Sequence, residues 1–239
     1  MSRDVLVTGG GRGIGLAVAA AFVEAGDTVT ITGRDPERLA AAGARLGVRT
    51  VVADAGSTEA LETLSDLFAD GIDVIVNNAG GFTGPPPAAG APLAEQQEHW
   101  LTSLRVNLLG AVLTVAALEN VIRSGGSVVS IGSIGAEYAA NAYSTAKAAL
   151  AAWNAGLSER LGVRDITANV IAPGFIDGTD LFGGRMSDER RAALIEQTHV
   201  KRVGRPADVA SLVAFLASEG ARHITGQSLH LNGGAHTTR

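Results

Sequence analysis

Short runs of apolar, largely β-branched residues alternate along the chain with longer stretches whose apolar positions recur at helical spacing. The runs fall at residues 4–8, 28–32, 49–53, 74–77, 127–131, 167–171 and 228–231. Several are apolar throughout, such as Val74-Ile75-Val76 and Val128-Val129, the pattern of strands covered on both faces. Helical spacing marks residues 13–25, 36–46, 58–68, 96–122, 142–161 and 207–217. Two of these stretches carry end signals. Gly26 closes the first, and Asp35-Pro36 gives the second an N-cap and a first-turn proline. Strand and helix in strict alternation predict an α/β fold: one doubly wound parallel sheet of about seven strands, flanked by helices, with right-handed crossovers.

The strand pattern continues to residue 231, so the sheet uses the whole chain and residues 1–239 read as a single domain. Ligands of open α/β sheets collect at the C-terminal ends of the strands, so every function must share that edge. Two irregular stretches lie there. Residues 80–93 hold Pro85-Pro86-Pro87, and residues 175–205, with a short helical pattern at 187–197, read as a substrate lid.

Composition narrows the class. Glycine, at 31 of 239 residues, is near twice the usual ~7%. With no Cys, disulfides and Cys-ligated metals are excluded, and a net charge of −5 gives no reason to expect nucleic acid. Residues 1–4 run straight into the first strand, and charges break up the long apolar stretches, so the expectation is a soluble cytoplasmic protein without a membrane partner. The five histidines, His99, His199, His223, His230 and His236, have no ligand-like spacing, so no metal is expected.

Part of the glycine sits in Thr8-Gly9-Gly10-Gly11-Arg12-Gly13-Ile14-Gly15, between the first strand and the first helix. There a dinucleotide needs a tight turn, close approach of backbone to pyrophosphate, and a helix N-terminus that offers free N–H groups to the anion. Gly9, Gly11, Arg12, Gly13, Ile14 and Gly15 are therefore candidate cofactor contacts, and the sheet is of the Rossmann type. After the second strand comes Gly33-Arg34-Asp35. Gly33 leaves no carboxylate to repel a 2′-phosphate and Arg34 would receive one, which favours NADP(H); NAD(H), held through Asp35, is the alternative.

Tyr143-Ser144-Thr145-Ala146-Lys147 opens an Ala-rich helix, and its i, i+4 spacing puts the phenol and the ammonium on one face. A cation ~4 Å from the phenol at an effective dielectric of ~20 favours phenolate by roughly 4 kcal/mol, which brings tyrosine toward general acid–base work.

With the glycine loop, these residues resemble the short-chain dehydrogenase/reductase family along the length of the chain, with C-terminal motifs like those of 3-oxoacyl-(acyl carrier protein) reductases. Asn77-Asn78-Ala79-Gly80, Val106-Asn107-Leu108, Ser130-Ile131-Gly132-Ser133, Pro173-Gly174-Phe175-Ile176, Arg202-Val203-Gly204-Arg205-Pro206 and Ile224-Thr225-Gly226-Gln227 carry the likeness. The resemblance implies Asn107, Ser133, Tyr143 and Lys147 as catalytic residues. Tyr143 passes a proton, Ser133 bonds the same oxygen, Lys147 lowers the tyrosine pKa and holds the nicotinamide ribose, and Asn107 orders a water leading to Lys147. It also implies cofactor contacts from Asp54, Asn78, Ala79, Gly80, Tyr143, Lys147, Pro173, Gly174, Ile176 and Thr179. Asp54 could equally cap the following helix, and Gly178 reads as an insertion before Thr179.

Ser133 precedes Tyr143 by fewer residues than the family pattern implies, and Ser130 would restore the usual gap. Ser130 lies inside a strand with opposite parity, however, whereas Ser133 falls past the strand end where the site must be. The shortened loop should reshape the pocket near Tyr138; Phe82, Phe175 and Phe182 are further candidate walls.

The reading is a hydride-transferring oxidoreductase, an NADP(H)-dependent ketone reductase acting on a small carbonyl or alcohol. Its alternatives are an NAD-dependent alcohol dehydrogenase of the same family and a non-catalytic cofactor-binding sensor. The helix at 142–156 is small and apolar on nearly every face, which predicts burial on two sides, one against the sheet and one against a second subunit of a dimer or homotetramer.

Overall fold

The computed structural model describes residues 2–179 and 186–238. Seven strands form one parallel sheet in the order β3-β2-β1-β4-β5-β6-β7. In chain order they are β1 (Asp4–Thr8), β2 (Thr28–Gly33), β3 (Arg49–Val52), β4 (Ile72–Asn77), β5 (Ile122–Ile131), β6 (Thr167–Pro173) and β7 (Ser228–Leu231). The helices are α1 (Gly13–Glu24), α2 (Pro36–Leu46), α3 (Thr58–Asp66), α4 (Leu93–Leu104), α5 (Gly110–Leu118), α6 (Ala142–Gly162), α7 (Asp188–Glu196) and α8 (Pro206–Leu216). Strand order reverses between β1 and β4, which opens a crevice at their C-terminal ends.

The two-residue period of the strands divides the core. Val5, Val7, Val74, Val76, Val129 and Ile131 face one layer with Val18 and Phe22 of α1 and Val209 and Val213 of α8. Leu6, Ile75 and Val128 face the other, with Leu61 and Leu64 of α3, Val115 and Leu118 of α5, and Leu157 and Leu161 of α6. Both ends anticipated for the first two helices are present. Gly26 takes φ +85 just past α1, and Asp35 accepts from the Arg38 N–H at 3.1 Å with Pro36 in the first turn.

One expected helix, residues 96–122, is four segments: α4, a π turn, α5 and a short 3-10 turn at Glu119–Val121. It begins at Leu93, loosens into a π turn at Arg105–Leu109, resumes as α5, and yields to β5 from Ile122. By length and composition the run Leu93–Val121 is apolar enough to cross a membrane, contrary to the expectation that charges interrupt every such stretch. In the fold its pieces pack instead on α3, α6 and β4.

Candidate active site

The chain leaves β1 at Thr8, and Gly9, at φ +67, turns it so that α1 begins at Gly13. Arg12 is extended and gives α1 no side-chain cap, so the first N–H groups and the positive dipole end of the helix serve the cleft. Thr8 ties this loop to the one after β4. Its hydroxyl accepts from the Asn78 and Ala79 N–H groups at 3.1 and 3.0 Å, and the Asn78 amide donates to the Thr8 and Gly9 carbonyls, both at 3.0 Å. The two sides of the crevice are one hydrogen-bonded unit.

A cleft of about 1200 Å³ runs from there across the C-terminal edge of the sheet, larger than the ~300–1,000 Å³ of a drug-sized site. All the expected site residues line it except Gly15 and Asn107. Gly15 is a packing glycine. A Cβ there would stand 2.3 Å from the Gly9 carbonyl oxygen and 2.4 Å from Asn78 Nδ2, so it brings helix and strand together beneath the loop.

Asn107 lies in the π turn, 2% exposed. Its Oδ1 accepts from the Gly81 N–H at 2.8 Å, and its Nδ2 donates to the Gly81 and Ser103 carbonyls at 2.9 and 3.2 Å. The side chain thus holds the Gly80-Gly81 wall from behind. Gly80 is required there, since its Cβ would meet Asn107 Oδ1 at 2.9 Å and Lys147 Nζ at 3.2 Å.

At the far end, Gly33, Arg34, Asp35 and Asp54 line the cleft with Arg12. Asp35 is spent on capping α2 and on an ion pair with Arg38 Nε at 3.0 Å. Asp54 does not cap α3, which takes Ser57. It accepts instead from the Gly56 N–H at 2.9 Å and faces Arg105 at 3.6 Å. Arg38 also lines this end; the Arg in the first turn after Gly33-Arg34 was its only sequence signal.

At the near end, α6 starts sharply because Asn141 Oδ1 accepts from the Ser144 N–H at 2.9 Å, and this cap puts Tyr143 and Lys147 in the first turns. Ser133, just past β5, accepts from the Gly135 N–H at 3.1 Å and lines the cleft together with Tyr143. Ser130 is instead buried within β5, where its hydroxyl takes Asn77 Nδ2 at 3.3 Å. The structure thus places Ser133 on the cleft and Ser130 inside the sheet.

The electrostatics differ from expectation. Lys147 Nζ donates to the Ile131 carbonyl and stands 5.9 Å from the Tyr143 ring centroid. Burial pushes the Tyr143 phenol up, opposed by the neighbouring Ser133 hydroxyl, so the protein by itself does not depress this tyrosine. Burial also brings Lys147 down to about 8.

Pro173 closes β6, and Gly174 packs on Asn232, which a Cβ would approach to 2.8 Å. Ile176 bridges to Gly204, and Thr179 donates to the Ile176 carbonyl at 2.9 Å with its methyl group toward Gly13. Phe82 stacks on Tyr143, ring centroids 4.5 Å apart, and Tyr138 and Phe175 line the cleft. Phe182 lies outside the described residues.

A family model described as enoyl-(acyl carrier protein) reductase matches residues 9–236. A 3-oxoacyl-(acyl-carrier-protein) reductase of Aquifex aeolicus is 37% identical, over 96% of this chain and 95% of its own. The chain belongs to the short-chain dehydrogenase/reductase family. As a member of that family it is an oxidoreductase. A short-chain dehydrogenase from Burkholderia cenocepacia, solved with NADP, superposes with TM-score 0.86 at 32% identity, covering 98% of this chain and 97% of the other. A blue fluorescent protein from a metagenomic library, solved with NADPH, gives 0.87 at 30% identity, covering 98% of both chains.

Proposed function

We propose that this short-chain dehydrogenase/reductase reduces a small-molecule ketone with NADPH. The observation that carries the reading is the convergence of Ser133, Tyr143 and Lys147 on one wall of the cleft, with the Lys147 side chain buried and donating to the Ile131 carbonyl. The cleft suits a dinucleotide. A Cβ built on Gly11, Gly13 or Gly33 meets nothing closer than 3.8, 3.6 and 3.5 Å, so these glycines open space for a ligand where Gly15 closes it. Arg12, Arg34 and Arg38 gather at the adenosine end, and the carboxylate of Asp35 is taken by its cap and ion pair. That balance favours a 2′-phosphate over a 2′-hydroxyl, and the NADP and NADPH of the two solved relatives agree with it.

In this mechanism the bound nicotinamide supplies the hydride to the carbonyl carbon. Tyr143 donates its proton to the carbonyl oxygen, and Ser133 hydrogen-bonds the same oxygen as charge develops. The Lys147 cation stabilises the phenolate left behind. Asn107 acts as a positioning residue through Gly81. The substrate lid of a single domain is assigned to the stretch 175–205, of which residues 180–185 lie outside the described residues; in its described part α7 buries none of its residues, while Arg190, Leu194 and Gln197 line the cleft. The exposed Ala152 and Ala155 on α6 support a homo-oligomer, readable by light scattering.

The test is a panel of ketones, 3-oxoacyl thioesters, enoyl thioesters and secondary alcohols, assayed with NADPH, NADH, NADP and NAD by nicotinamide absorbance. Ketone or 3-oxoacyl reduction with NADPH preferred is the expected result. Turnover of enoyl thioesters alone, or of no carbonyl at all, overturns it.

A further inference from the structure

Glu137, His230 and His236 converge beside the substrate end of the cleft, and we propose that they bind a divalent transition-metal ion of the Zn²⁺ class. One potential ligand atom from each lies within 4.8 Å of the others. Glu137 ends the turn that Ser133 caps, His230 is on β7, and His236 is on the segment that follows. Linear spacing concealed the group, because the two histidines are joined through a turn. Gly233 and Gly234, at φ +64 and +87, fold the chain back after β7.

That turn is braced by the protein itself. Asn232 Oδ1 accepts from the Gly234 N–H and its Nδ2 donates to the His236 carbonyl, both at 2.8 Å. The His199 N–H holds the Gly233 carbonyl at 2.8 Å. Within the cluster, His230 Nε2 is buried without a hydrogen bond and lies 3.4 Å from Glu137 Oε1. Tetrahedral ligands at bonds of ~2.0–2.2 Å stand about 3.3–3.6 Å apart, so this edge already has the span a metal requires. His236, half-buried on its turn, closes the third side by side-chain rotation. Two imidazoles and a carboxylate suit Zn²⁺ and its neighbours better than Mg²⁺ or Ca²⁺, which prefer oxygen, and three protein ligands leave a fourth position for a solution ligand.

The ion would fasten the turn after Ser133 to the C-terminal segment. Tyr138 and Ala235, the chain neighbours of two ligands, both line the cleft, so the bound metal fixes one wall of the substrate space.

Untagged protein stripped with a chelator should be titrated with Co²⁺, followed by its visible d–d absorption, and with Zn²⁺ by calorimetry. One equivalent should bind and raise the melting temperature. Binding should vanish in His236→Gln and Glu137→Gln, whose folding is checked by circular dichroism, and persist in His99→Gln/His223→Gln. Absence of saturable binding for both ions, or binding unchanged in His236→Gln and Glu137→Gln, overturns the site. Metal uptake is read without turnover, so the result is independent of the carbonyl reaction.

Discussion

Lys147 Nζ donates to the main-chain carbonyl of Ile131 at 2.7 Å, where β5 ends. Burial alone brings this ammonium to about 8 from its ordinary 10.5, a difference worth roughly 3 kcal/mol. Between those values the unfolded chain binds a proton that the folded protein has released, so this group's contribution to stability rises with pH across the window. Below about 8 the full cost of burying the charge is present. Lys147→Met should therefore resist urea better than the native protein at pH 7, with the advantage fading as pH approaches 10.5. An advantage equal at pH 7 and pH 10 would contradict this account.

Tyr143→Phe removes the proton donor but keeps the ring that packs on Phe82. Carbonyl reduction should fall by about 10²- to 10⁴-fold, while NADPH binding, followed by fluorescence, persists. Because burial raises the phenol's pKa, it stays protonated through the neutral range. Reduction should then be flat with pH around neutrality, and alcohol oxidation, which needs phenolate, should climb with pH. An oxidation rate level from pH 6 to 10 would remove Tyr143 from the proton path.

Arg34→Ala and Arg38→Ala test the cofactor reading. A hydrogen bond to a charged group contributes about 1.5–3 kcal/mol, so each variant should raise KM for NADPH by tenfold or more and leave KM for NADH nearly unchanged. Equal loss for both cofactors would show that neither guanidinium reads a 2′-phosphate.

Gly15→Ala and Gly33→Ala separate packing glycines from cleft glycines. The first puts a methyl group 2.3 Å from a backbone oxygen, and overpacking of that kind costs about 1–3 kcal/mol, visible as a lower Tm. The second meets only Leu39 Cδ1 at 3.5 Å and should keep its Tm while losing affinity for NADPH. Identical Tm values for the two variants would refute the distinction.

The sheet was legible because burial on both faces writes itself into runs such as Val5-Leu6-Val7, whose alternate residues enter opposite core layers. Helix spacing put Tyr143 and Lys147 on one face and parity put Ser133 past a strand end, while the roles assigned to them came from the family resemblance. The start of β5 was not legible. Arg123-Ser124-Gly125-Gly126 reads as a loop, yet the strand begins at Ile122, where Arg123 pairs with Asp4 of β1 and Asp73 of β4 at 3.0 and 2.7 Å. The pKa of Tyr143 also escaped, because desolvation depends on tertiary neighbours that i, i+4 spacing does not specify. Gly15 packs beneath the loop rather than lining the cleft, a difference that sequence does not show because a glycine beneath a loop and one facing a ligand look alike there.

The π turn at Arg105–Leu109 has a consequence for how the chain can vary. A helix advances about 100° per residue, and the wider turn absorbs one surplus residue, so α4 and α5 run out of phase by that angle. Deleting a residue between Leu104 and Gly110 would restore regular helical bonding. It would also rotate either Asn107 away from Gly81 or Val115 and Leu118 out of the core. The cleft wall and the hydrophobic interior share one phase, and neither can slip alone.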